Sequence, residues 1–151
     1  MLKRFMLAGA VALTGLALTA ATAAAEEENP DDDPASVALS SKGDAAKGKR
    51  VFFKCRACHN LTGEKRPKTG PNLDNLFGRV AGTAENFPRY SKVLKEAGFV
   101  WTEEKLDQWL VGPKTFLPGN RMAFAGVAKE QDRWDLMAYL REATVAQPPA
   151  Q

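Results

Sequence analysis

Histidine and cysteine are nearly absent from this chain: His59 is the single histidine, and Cys55 and Cys58 are the two cysteines, in 151 residues. One histidine excludes any mechanism that needs two imidazoles from the same chain. Two cysteines make at most one intrachain disulfide, which excludes a disulfide-stapled scaffold. Internal repeats are missing, and so is any convincing run of alternating apolar and polar residues; the elements read as all-α. With 26% charged residues the chain is too polar for a multi-span membrane protein, and with 44% hydrophobic residues it is too apolar for disorder. Its length leaves room for one domain with tails, without a second full core.

What is present begins with an export pattern. Lys3 and Arg4 make a basic start, residues 5–18 form an uncharged apolar run, and Ala23-Ala24-Ala25 places small residues at a cleavage position. The uncharged stretch to residue 25 is also just long enough for a retained membrane anchor. The shortness of the apolar part and its A-x-A ending favour a signal, cleaved after Ala25. An acidic leader follows over residues 26–42, with Glu26, Glu27, Glu28, Asp31, Asp32 and Asp33 between prolines. From Pro34 onward the chain holds 19 basic and 12 acidic residues, a net charge of +7. Such a basic domain attracts acidic partners, and export disfavours nucleic acid among them.

The folded region reads as residues 43–143, with a flexible tail over 144–151. Asp44 caps a helix expected to run to about residue 55, with Val51 and Phe52 on its buried stripe. Residues 60–72 are rich in glycine, proline, lysine and threonine and read as a loop. Short helices are expected over residues 73–77 and 91–97, the second ending at Gly98. Thr102 opens a helix carrying Leu106, Trp109 and Leu110 that Gly112-Pro113 stops. The last helix is expected over residues 129–142, with Leu136, Tyr139 and Leu140 on its apolar side. Four or five short helices and such long loops make a thin core, which argues that something other than side chains fills the middle.

Cys55-Arg56-Ala57-Cys58-His59 has the C-x-x-C-H spacing of covalent c-type haem attachment. Two thiols three positions apart can add to the two vinyl groups of one porphyrin, and the next residue then points its imidazole at the iron. A zinc site needs further ligands that this chain lacks. A redox C-x-x-C belongs to a βαβ pattern that is absent here. A plain Cys55–Cys58 disulfide leaves His59 and the long loops unexplained. Given a haem, a sixth ligand is found by elimination, since only Met122 and Met137 remain once the leader is removed. Met137 sits among the apolar residues of the last helix, whereas Met122 lies in the irregular Leu117-Pro118-Gly119-Asn120-Arg121-Met122-Ala123-Phe124 segment. Met122 is the candidate.

The chain resembles class I cytochrome c, the mitochondrial type and its periplasmic bacterial relatives, over about residues 43–143. The likeness rests on Gly43-Asp44 and Gly48 before the haem motif, Thr69-Gly70-Pro71-Asn72-Leu73, and Leu76-Phe77-Gly78-Arg79. It continues in Phe99-Val100-Trp101, Pro118-Gly119-Asn120-Arg121-Met122-Ala123-Phe124-Ala125-Gly126 and Asp135-Leu136-Met137-Ala138-Tyr139-Leu140. The resemblance implies an all-α fold of short helices and long loops wrapped around one haem c, covalently held by Cys55 and Cys58. It makes His59 and Met122 the iron ligands and Pro71 the acceptor of the imidazole proton. Arg79, Tyr90 and Trp101 match positions around the haem propionates, and Phe124 lies in the matched methionine segment. Gly48 and Phe52 match the crossing of the first helix over the last, near Tyr139.

Three positions depart from the family pattern. Trp109 stands where many relatives carry a tyrosine hydroxyl near the methionine sulfur, and an indole donates without accepting. The segment Phe87-Pro88-Arg89-Tyr90 is one residue longer than in the mitochondrial form, and residues 91–95 lack a polar asparagine. The function implied is one-electron shuttling in the periplasm by a monomer, not enzymatic chemistry. Its partners are acidic redox proteins: a membrane oxidoreductase complex, a terminal oxidase or a periplasmic dehydrogenase. Lys54, Lys68, Lys114, Arg121 and Lys129 match positions ringing the haem edge, where they steer such partners. A haem protein with a labile methionine, acting as peroxidase or gas sensor, is the alternative.

Overall fold

The computed structural model describes residues 41–62, 66–85 and 87–145. The apolar leader, nearly all of the acidic segment and residues 146–151 lie outside them. The described chain forms α1 (Ala45–Val51), α2 (Lys92–Lys95), α3 (Glu103–Val111), α4 (Pro113–Phe116) and α5 (Glu130–Ala143). Among the described residues there is no strand, only an isolated antiparallel bridge between Val80 and Val100.

The first helix starts as its sequence dictates: the Asp44 side chain accepts from Lys47 N at 3.1 Å, satisfying one of the open donors of the first turn. It does not run on as one α-helix to residue 55. After Val51 it tightens into a 3-10 turn, Phe52–Lys54, and Cys55 N donates to Phe52 O at 2.8 Å. α1 crosses α5 with glycine at the contact. A Cβ on Gly48 would overlap Asp135 O and stand 2.8 Å from Tyr139 Cβ, so only a bare Cα admits this approach. Asp44 N donates to the buried Asp135 Oδ1 at 2.9 Å, and the Phe52 and Tyr139 rings meet at 5.6 Å.

Thr102 caps α3 by accepting from Lys105 N at 3.1 Å, and Leu106, Trp109 and Leu110 are buried as their spacing predicts. α3 packs on α5 through paired charges as well. Glu103, fully buried, accepts from Arg141 Nε at 2.5 Å. Arg133 Nε donates to Asp107 at 2.7 Å, and Arg133 Nη1 donates to Val127 O and Ala128 O. Each of these buried charges is paired, the condition under which burial is tolerated.

Two further expectations need correction. Residues 73–77 are turns and not a helix, because Asn75 (φ 44°) and Gly78 (φ 78°) take left-handed conformations that a right-handed helix excludes. Their backbone donors are used across the fold instead, Asn75 N on Thr144 O at 2.7 Å and Gly78 N on Trp101 O at 3.0 Å. Gly112-Pro113 does end α3, yet Pro113 also opens α4, since a proline suits a first helical position. At the other end of the chain, Thr144 is buried, its hydroxyl donates to Leu140 O at 2.8 Å, and order extends through it.

Candidate functional site

Cys55, Cys58 and His59 leave the 3-10 turn on one further turn of chain, with Cys58 N and His59 N both donating to Cys55 O at 3.0 Å. Neither cysteine is in a disulfide; Cys55 is half-buried and Cys58 exposed. Burial pushes the Cys55 thiol up to about 11, against the pull of the Lys54 charge. Among the described residues no three His, Cys, Asp or Glu side chains converge on a point.

His59 is fixed from both sides. Its Nδ1 donates to Pro71 O at 2.7 Å, and Gly70 presses so closely on the ring that a Cβ there would overlap Cε1. The loop that carries Gly70 and Pro71 is tied to the motif by Gly70 N on Cys58 O at 2.8 Å and Leu73 N on Asn60 O at 3.0 Å. Burial holds the imidazole below its ordinary pKa, the Pro71 carbonyl opposes this, and the charges of Lys68 and Arg79 add to it. With Nδ1 donating to the Pro71 carbonyl, the neutral form of the ring has its Nε2 lone pair free for a metal.

Arg79 and Tyr90 lie close enough to influence each other's titration. Burial lowers the guanidinium, and burial raises the phenol, each shift partly opposed by the other group. The Arg79 guanidinium donates to Asp74 O, and to Asn72 O at 3.2 Å, while the Tyr90 hydroxyl accepts from Ala84 N at 3.3 Å. Trp101 and Trp109 are buried edge-to-face at 5.4 Å, and Phe116 closes on Trp109 at 5.9 Å. Met122 and Phe124, half-buried, pack on the same core, whereas Met137 is wholly enclosed within it.

The five basic residues divide in two. Lys54, Arg121 and Lys129 are exposed, and Lys129 precedes α5 as its N-cap. Lys68 Nζ donates to Arg56 O at 2.7 Å, and Lys114 Nζ to Asn120 O, so both ammoniums brace backbone while remaining at the surface.

Three participants were given no role by the sequence, although Gly70 and Asn120 lie in motifs that carry the resemblance. Gly70 is a glycine among many until its approach to His59 is seen. Asn120 is buried, and its side chain bonds to three backbone groups, Pro113 O, Leu117 O and Met122 N. Ser91, the N-cap of α2, makes no side-chain cap bond, and its buried Oγ has no hydrogen-bond partner among the described residues. Arg79 Nε is a second such atom. Leaving a polar atom buried and unpaired costs about 1–3 kcal/mol. A donor on arginine and a hydroxyl facing inward fit the carboxylates of a haem, as the thiol pair and neutral imidazole fit its vinyls and iron. The described fold and this donor set define an all-α protein built to hold one haem c.

The family model for cytochrome c matches residues 45–144. Cytochrome c from Chlamydomonas reinhardtii is 50% identical over 103 residues, covering 68% of this chain and 91% of its own. Cytochrome c2 from Blastochloris viridis is 44% identical over 108 residues, covering 72% and 84%. Among solved structures, cytochrome cH from Methylobacterium extorquens aligns with a TM-score of 0.62 at 37% identity, over 66% of this chain and 99% of that one. The chain belongs to the cytochrome c family, as an electron-carrying haem protein and not an enzyme, with one covalently bound haem c.

Proposed function

We propose that the protein is a periplasmic one-electron carrier of a Gram-negative bacterium whose iron ligands are His59 and Met122. The observation that carries this is the hydrogen bond from His59 Nδ1 to Pro71 O, which supports ligation through Nε2 by keeping that nitrogen's lone pair free in the motif that anchors the haem. The bound haem supplies the redox couple. The chain does the rest. Cys55 and Cys58 hold the group by thioether bonds. Met122 offers a soft and weakly donating thioether, which favours the reduced state. Trp109, buried near the methionine segment, donates but cannot accept, and Phe124 helps exclude water. Arg79, Tyr90 and Trp101 meet the propionates. His59 and Met122 would serve as ligands in both oxidation states, so the chain would have little to move on electron transfer and would offer no position to a substrate.

Docking is assigned to Lys54, Lys68, Lys114, Arg121 and Lys129, which steer acidic redox proteins such as a membrane oxidoreductase complex, a terminal oxidase or a periplasmic dehydrogenase. Export by cleavage after Ala25 is supported by the leader's sequence, and it is tested by the mass of the mature chain. Among the described residues no helix is long and apolar enough to cross a membrane. The absorption spectrum of the oxidised protein tests the ligand pair. The weak long-wavelength band of a methionine–ferric iron bond is expected, lost in Met122→Ala and kept in Met137→Leu. A high-spin spectrum that responds to peroxide or carbon monoxide would instead mean an open iron.

A further inference from the structure

Asn120 is 3% exposed and sits two residues before Met122. Its side chain uses both kinds of hydrogen-bonding group. Nδ2 donates to Pro113 O at 2.7 Å and to Leu117 O at 2.8 Å, and Oδ1 accepts from Met122 N at 2.9 Å. Its backbone joins the same knot, with N on Leu117 O at 3.2 Å and O accepting from Lys114 Nζ. Pro113 is the first residue of α4, and Leu117 is its C-cap. One amide therefore ties the methionine backbone to both ends of a short helix. On the other side of Met122 the chain is held again, where Val127 N donates to Leu110 O at 2.7 Å in α3.

We infer that Asn120 is the positioning residue for Met122, setting how firmly the thioether is held at its ligating place and how readily an outside ligand displaces it. The inference rests on Met122 being the ligand, as proposed above. The chemistry selects the residue type. Only an amide offers an acceptor to Met122 N and two donors to two carbonyls at once. An aspartate at 120 would turn an anion toward two carbonyl oxygens, and an alanine would take the partner from Met122 N, while Leu117 O keeps the backbone N–H of residue 120 and Pro113 O keeps Leu117 N. A serine retains an acceptor for the N–H two residues on, without reaching both carbonyls.

The test uses the haem-loaded, oxidised protein and imidazole as the competing ligand, followed by absorption. Reduction potential and amide exchange at Met122 N–H are measured alongside. Asn120→Ala is expected to bind imidazole about tenfold more tightly than the parent, roughly the factor carried by one to two buried hydrogen bonds. Its methionine–iron band weakens, its potential falls, and the Met122 amide exchanges faster. Asn120→Ser recovers part of each change. Arg141→Met, which loses stability through the Glu103 pair of α3 and α5, stays within about twofold of the parent in imidazole affinity. An Asn120→Ala protein that resembles Arg141→Met in affinity, potential and exchange overturns the inference. If Asn120→Ala does not load haem, Asn120→Ser decides: intermediate affinity supports the inference, and parental affinity overturns it. A parent protein without the methionine band, unchanged by Met122→Ala, overturns the ligand reading itself, and that result is reached before any Asn120 variant is made.

Discussion

Gly70→Ala puts a single methyl where the structure has no room for one. The added Cβ would overlap His59 Cε1 and stand 2.8 Å from both ring nitrogens, whereas ordinary contact begins near 3.4 Å. Gly70 is not in the left-handed region, so the conflict is purely one of space. Either the imidazole yields, stretching its 2.7 Å bond to Pro71 O, or the loop yields, stretching the 2.8 Å bond from Gly70 N to Cys58 O. Overpacking of this kind costs about 1–3 kcal/mol. A lost hydrogen bond adds about 1 kcal/mol. The stiffer unfolded chain returns about 0.4–1 kcal/mol. The net is about 1–3 kcal/mol, or a fall in Tm of roughly 5–20 °C for a domain of about 100 residues. The assay is thermal unfolding of the haem-loaded protein by circular dichroism, with the visible spectrum recorded on the same samples. Gly112→Ala is the control, because a Cβ there meets Thr115 Oγ1 at 3.5 Å, an ordinary contact. A Gly70→Ala protein that melts with the parent and keeps its spectrum would refute the claim that Gly70 wedges the imidazole.

Arg133→Met strands the Asp107 carboxylate and two carbonyls, and it is expected to cost about 2–3 kcal/mol, discounted from the fully buried case because Asp107 is partly exposed. The urea midpoint measures this, and adding Asp107→Leu should recover part of the loss if the stranded charge is the cause. Asp44 has its carboxyl held below the ordinary range, chiefly by the Lys47 backbone N–H. A depressed folded pKa gives stability that is present above the unfolded value of about 3.8 and lost as pH falls through the folded value. Asp44→Asn keeps the cap and should flatten the acid limb of Tm against pH; an unchanged limb assigns it to other groups. Charge reversal at Lys54 and Lys129 should slow association with an acidic redox protein and reduce its dependence on salt, measured by stopped flow at several ionic strengths. If association of the parent is indifferent to salt, docking does not depend on these charges.

Much of this molecule was legible before any coordinates, for reasons visible in single residues. The caps Asp44 and Thr102 announce their helices because a side-chain oxygen and an open backbone N–H lie within three residues of each other. The order from Cys55 to His59 carries its chemistry in spacing alone. Met122 could be separated from Met137 because helical periodicity marks the second as core. What depends on neighbours in sequence can be read from sequence. The false helix over residues 73–77 shows the limit. Its residues tolerate a helix locally, and it is the carbonyls of Thr144 and Trp101, distant along the chain, that draw off the N–H groups of Asn75 and Gly78.

The sequence by itself determined that the chain is helical and that it anchors a haem through Cys55 and Cys58. These follow from composition and from spacings of a few residues. Only the tertiary structure decided that Gly48 lets α1 cross α5, that Gly70 and Pro71 hold the His59 ring, and that Asn120 knots Met122 to α4. It also showed buried atoms of Arg79 and Ser91 that no group among the described residues satisfies. Each of these is a relation between segments brought together by folding. Residue type alone leaves such relations open, because a glycine or an asparagine reads the same whether it faces solvent or a ligand.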